Sequence, residues 1–244
     1  MPDIDPIDFL FADMAKLGPG ADADTLHVLG LLPERQFPIV VDAGCGTGRQ
    51  TLALARALGT EIQAIDSHAP FLDQLAHRAR AAGVSSLVHT HHMDMADIPT
   101  VFADIDLLWA EGAAYNIGFA NALATWAGAI RRGGYAVISE LAWLHDGPEQ
   151  VRAYFRSAYP DMQETHRNME LAVSAGYSVI ATHTLPSAAW QEDYYDILYP
   201  RALALAGHPD PAVAELAAET IKEIDTFRTS QSSYGYVFYV LRRN

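Results

Sequence analysis

The run Val40-Val41-Asp42-Ala43-Gly44-Cys45-Gly46-Thr47-Gly48 limits what this chain can fold into more than any other stretch. Apolar residues from Phe37 to Val41 predict a short buried strand. The glycines predict a tight turn, and Arg49 to Leu58 predicts a helix that stops at Gly59. Such a turn accepts positive φ at its glycines and lets a ligand lie against bare backbone. The helix behind it offers unpaired N–H groups and the positive end of its dipole.

The spacing decides which ligand. A nicotinamide-dinucleotide fingerprint sets its third glycine three positions after the second; here Arg49 occupies that place and the third glycine is Gly48. No Gly-Lys-Ser/Thr follows, which excludes a phosphate-cradling loop. Asp42 adds a carboxylate just before the turn, which repels a pyrophosphate and suits an ammonium or a sulfonium.

These residues, with four companions, resemble the class I S-adenosylmethionine (SAM)-dependent methyltransferases. Asp42-x-Gly44-x-Gly46-x-Gly48 is similar to that family's first motif, and Ile62-Gln63-Ala64-Ile65-Asp66 to its second strand. Met93-Asp94-Met95 resembles the adenine-binding turn, Leu107 to Gly112 the fourth-strand motif, and Arg132 to Ile138 the glycine turn into the fifth strand. The likeness covers roughly residues 37 to 140. It implies that Gly44, Cys45, Gly46, Gly48, Asp66, Ser67, Asp94, Met95 and Glu111 surround SAM. Asp66 would hold the ribose hydroxyls, Asp94 the adenine amine, Met95 the ring, and Asp42 the methionine amino group.

Composition narrows the partners. The chain has 244 residues, half of them hydrophobic, enough for one large domain with a full core. Its formal net charge is −14, and its only adjacent basic pairs are Arg131-Arg132 and Arg242-Arg243. That argues against a nucleic-acid partner, which needs a basic stripe. No apolar run is long enough to span a membrane, and the acidic start does not read as a secretory signal. Cys45 is the single cysteine, which excludes disulfides within one chain and fits a cytoplasmic location. A homodimer is compatible with all of this.

Residues 1–36 precede the first strand. Ile7, Phe9, Leu10, Met14 and Leu17 predict a short amphipathic helix, and the Gly18-to-Thr25 stretch breaks it before a second helix through Leu32. This segment reads as a solvated linker, or as a lid that brings Gly20 to the methionine end of SAM, as N-terminal helices do in related methyltransferases. From 37 to 140 strands and helices alternate, predicting a doubly wound, mostly parallel sheet. Asp42, Asp66, Asp94, Glu111 and Glu140 are expected at strand ends, where such sheets bind ligands. Helices over Phe119 to Arg131, Pro148 to Ala158, Glu164 to Ala175, Ala188 to Ala206 and Pro211 to Arg228 are expected, with strands over Tyr177 to Leu185 and Tyr234 to Leu241. The resemblance makes this a seven-stranded α/β fold. Its methyltransferase domain covers 37–244, with a helical insertion at about 186–233 before the last strand.

SAM carries its own activated methyl, so the protein must align an acceptor and remove a proton where there is one. Glu111, Tyr115 and Asn116 follow the fourth strand, where the family places residues beneath the methyl. Glu111 and Tyr115 are candidate bases. The Asn/Asp-Pro-Pro-aromatic sequence of nucleobase and glutamine N-methyltransferases is absent there. Trp143, Trp190 and Tyr194, with Tyr115, either wall an acceptor pocket or belong to the core. His89, His91, His92 and Asp94 read as polar strand surface rather than a metal site, since His92 points away from the other two. His145 and His183 are further candidate bases. The expected function is methyl transfer to a small molecule. The alternatives are a SAM-binding protein without transferase activity and a nicotinamide-dependent oxidoreductase.

Overall fold

The computed structural model describes residues 5–230 and 232–244. Eight strands form one sheet: β1 (Val40–Ala43), β2 (Ile62–Asp66), β3 (Val88–His92), β4 (Ile105–Ala110), β5 (Ile130–Trp143), β6 (Gln163–Glu164), β7 (Tyr177–Thr184) and β8 (Tyr234–Arg243). Their order is β3-β2-β1-β4-β5-β8-β7, with β6 on the end of β5. Strands β1 to β5 run parallel, and β8 is antiparallel to both β5 and β7.

Both faces are covered, because the central strands β1, β4 and β5 carry buried apolar residues pointing both ways. One face packs Val41, Ile65, Leu108 and Ile138 beneath α5 (Ile98–Val101), α6 (Phe119–Ala127) and α8 (Thr165–Ser174). The other packs Val40, Ile62, Leu107 and Val137 beneath α2 (Asp22–Gly30) and α3 (Arg49–Leu58), and Ala64 beneath α4 (Ala69–Ala81). A third cluster joins α1 (Pro6–Leu10), α7 (Glu149–Ala158), α9 (Asp196–Leu205) and α10 (Pro211–Thr229) over Trp143 and Tyr234.

Three expectations are corrected. Strand β1 starts at Val40 rather than Phe37, because Pro38 has no N–H to give a ladder and the Ile39 amide donates instead to Asp106 Oδ2 at 2.9 Å. Helix α6 ends at Ala127, not Arg131. Residue 130 already pairs with Ile105, and a register shift before Tyr135 takes up the Gly133-Gly134 bend. There are eight strands rather than seven. The partner strand β4 reaches only as far as Ile138, so β5 overruns it and leaves an edge on which the two-residue β6 pairs with Ala142 and Trp143. Glu140 consequently lies inside β5, paired with Val237, and not at a strand end.

Candidate active site

A cavity of about 380 Å³ opens beyond the carboxyl ends of β1, β2 and β4. The Gly44–Gly48 loop, Asp66, Ser67, Asp94, Met95, Glu111, Tyr115 and Asn116 line it together. Asp66 ends β2 and organises this rim: its Oδ2 accepts from Gly46 N and its Oδ1 from His68 N, each at 2.8 Å. Gly44 N and Cys45 N both donate to Ile65 O, also at 2.8 Å, so the turn is tied to β2 rather than left open. Asp94 caps the short turn after β3 by accepting from Ala96 N, and Trp126 fixes Met95 through its carbonyl.

The glycines adopt the positive φ expected of them, and the space they leave is also used by the protein. Gly44 has φ +70°, and a Cβ there would overlap Ala113 Cβ; a Cβ on Gly46 would meet Leu17 Cδ1 at 2.9 Å. The space saved is filled by protein, and the ligand side of the turn is formed by its backbone.

Asp42 does not line the cavity. It is fully buried beneath the loop, where Oδ2 accepts from Thr51 at 2.6 Å and Oδ1 from Gln50 at 3.4 Å. Burial pushes its carboxyl up to about 7, against the lowering by those two hydrogen bonds. Its hydrogen bonds are therefore internal, and it offers no direct contact to an amino group in the cavity. A folded-state value above the unfolded one stabilises the protein at low pH, and that stability is lost as pH rises through about 7. The thermal midpoint is expected to fall between about pH 4 and 7, by up to about 1.4 kcal/mol of stability per pH unit, and to level off above that. Calorimetry of Asp42→Asn should show a flatter profile.

Glu111 lines the cavity but is tied down: Arg49 pairs with it, Thr25 Oγ1 donates at 2.9 Å and Trp109 Nε1 at 3.1 Å. A carboxylate with three donors joins α2, α3 and β4; it is a poor base. Tyr115 lines the cavity and is 44% exposed, so its hydroxyl stays protonated and can donate. Gly20 stops short of the cavity, where Lys16, Leu17, Gly18 and Pro19 stand instead. Trp143, Trp190 and Tyr194 are buried in the third cluster, and Trp190 stacks on Phe227 and Tyr236. Neither His145 nor His183 lines the cavity. His91 and His92 bond to Gln63 and Ser67 separately, and among the described residues no group suits a metal ion.

Residues 5–20 lie across the cavity as a strap. Thr47 donates to the carbonyls of Met14 and Ala15, Arg78 to the same two, and Arg201 to those of Leu10 and Ala12. The strap delivers Lys16, which sequence reasoning missed. Its amine is buried, lines the cavity and donates to Gly20 O at 2.9 Å. Burial and the nearby Arg49 push its pKa down. Lys16 is the first basic residue of an acidic N-terminal stretch, with no lysine or arginine following until Arg35, and that was the available signal. It lines the cavity with Arg49, Asp66 and Asp94.

Residues 40–134 match the family model described as a methyltransferase domain. Over 109 residues the chain is 36% identical to malonyl-[acyl-carrier protein] O-methyltransferase of Salmonella typhimurium, covering 45% of this chain and 36% of that one. The chain spans about a third or less of the length of the curated relatives it matches. SAM-dependent methyltransferases from Thiobacillus denitrificans and Geobacter sulfurreducens, solved with S-adenosylhomocysteine, share the fold. Each has a TM-score of 0.81 at 20% identity over 100% of this chain, and 99% and 100% of theirs.

Proposed function

We propose that this protein transfers a methyl group from SAM to a small-molecule acceptor. The observation that carries the reading is the charge pattern of the cavity. Asp66, anchored by two backbone amides, lines the same cavity as a buried Lys16 and as Arg49, which is paired with Glu111. Those groups match a ligand with ribose hydroxyls at one end and an amino-acid carboxylate at the other. Gly44 to Gly48, Asp66 and Ser67 would hold the nucleoside side with Asp94 and Met95, and Lys16 and Arg49 the carboxylate. Bound SAM supplies a methyl on a positively charged sulfur. The chain contributes position: the strap and Tyr115 close the space around the reacting centre and keep water out.

Tritium from methyl-labelled SAM should appear in a small metabolite when the protein is incubated with cell extract. Retained SAM binding with no transfer across broad extracts would instead favour a binding protein. The net charge of −14 speaks against nucleic acid as acceptor. Among the described residues, no helix is long and apolar enough to cross a membrane. We assign the protein to the cytoplasm on its single, buried cysteine; recovery in a membrane or secreted fraction would refute this.

Lys16→Met should weaken S-adenosylhomocysteine binding by about 1–2 kcal/mol, the value of a charge-assisted hydrogen bond. Methylthioadenosine, which lacks the carboxylate, should bind unchanged. Titration calorimetry of the two ligands separates the outcomes.

A further inference from the structure

A second hollow, a groove of about 720 Å³, opens between the start of α6, the chain just before β6, and α8. Strand β4 stops opposite Ile138 and β6 begins opposite Ala142, so the stretch of β5 between them has no neighbouring strand on that edge. Glu140 lies in this stretch and shares the sheet face of Ile138 and Ala142, the face that α6 and α8 cover. It lines the groove and is 2% exposed. Its Oε1 accepts from the Tyr159 hydroxyl at 2.8 Å and from Leu141 N at 3.0 Å, while Oε2 has no partner. Asp161 and Glu170 line the same groove from exposed positions. Among the described residues its one base, Arg167, is tied to Glu170 at 2.6 Å rather than to Glu140. Asn121 and Gln163, also on its walls, each donate through the side-chain nitrogen to a backbone carbonyl, which leaves the side-chain oxygen to accept. Ile117 lines both hollows, but Tyr159 belongs to this one and Tyr115 to the cavity of Asp66, with the two rings edge-on and 6.3 Å apart.

A carboxylate taken out of water without a cation is unfavourable, and a charged donor that enters from solvent completes it. The groove is rich in acceptors and poor in donors. An anion would meet Glu140, Asp161 and Glu170 against Arg167 alone. Among the described residues no set of side chains suits a metal ion, whereas an ammonium needs one strong acceptor with weaker ones around it. We propose that this groove is a second ligand site of the protein, taking a small organic ammonium whose N–H group bonds to the free oxygen of Glu140. The site goes beyond the methyltransferase reading and does not rest on it. The Tyr159 hydroxyl keeps its bond to Oε1, the ligand takes Oε2, and the exposed Asp161 and Glu170 draw cations toward the groove. Burial holds the empty carboxyl at about 7, so near neutrality the arrival of a positive charge is enough to ionise it.

Titration calorimetry of the full chain tests this with butylamine, cyclohexylamine and phenethylamine, set against butanol, cyclohexanol and phenylethanol as matched neutral probes. At least one amine should bind saturably and about ten-fold or more tighter than its alcohol, as a charge-assisted hydrogen bond requires. Glu140→Gln, which keeps an acceptor for Tyr159, should cut that affinity by about ten-fold or more. Ala120→Trp, at an exposed position on the wall of the groove, should abolish binding by filling the space while Glu140 stays intact. Amines that bind no better than alcohols, no amine binding at all, or binding that survives either variant would overturn the proposal. So would competitive displacement of the amine by S-adenosylhomocysteine, which would put it in the cavity of Asp66 instead. The wild-type comparison of amine with alcohol decides by itself if a variant misfolds.

Discussion

Gly48→Ala is expected to lose about 2–5 kcal/mol of folding stability. Gly48 has φ +87°, a conformation that costs an alanine about 1–2 kcal/mol. Its new Cβ would overlap Leu75 Cδ1 and lie 2.9 Å from Cγ. Leu75 is itself fully buried between α3 and α4, so it has nowhere to go, and overpacking of this kind adds about 1–3 kcal/mol. Gly59 is the internal control. It also has positive φ, at +63°, but nothing lies within 4 Å of an added Cβ. Gly59→Ala should therefore cost only the backbone part. Urea denaturation of the two variants measures the difference; equal losses would show that the Leu75 contact does not matter.

Asp66→Ala should weaken S-adenosylhomocysteine binding by about 2–4 kcal/mol, roughly 30-fold to 1000-fold. The carboxylate has two tasks that the substitution removes together. In the proposed site it would receive ribose hydroxyls, and it already accepts from Gly46 N and His68 N. Without it those amides lose their partner and the glycine turn loses its tie to β2. Asp66→Asn, which keeps one carbonyl acceptor, should fall between. Affinity in Asp66→Ala within two-fold of the parent would remove Asp66 from the site.

The glycine turn and the strand-end acids were legible because each depends on local chain geometry. Glycines at alternate positions allow few backbone paths, and apolar runs ending in Asp66 or Glu111 place those acids by strand length alone. What stayed hidden depended on contacts between distant segments. Nothing local to Asp42 says whether its side chain meets a ligand or Thr51 and Gln50. Glu111 reads as a base until Arg49 and Thr25 are brought to it by helices far away in sequence. The aromatic residues Trp190 and Tyr194 had two open readings, and only the assembled third core cluster shows both buried there. Glu223 drew no notice among the charges of a long surface-like helix. Only the docking of α10 against α9 and α1 brings it to the Tyr195 hydroxyl, which donates to it at 2.6 Å.

The strap over the cavity is held at four positions by its main chain. Arg78, Thr47 and Arg201 hold carbonyl oxygens of Leu10, Ala12, Met14 and Ala15, and every residue type carries that oxygen. Ala12 and Ala15 expose their own side chains to solvent. The seat of the strap is thus written in the residues beneath it, and those two positions are free to drift in evolution while the three that hold them are not.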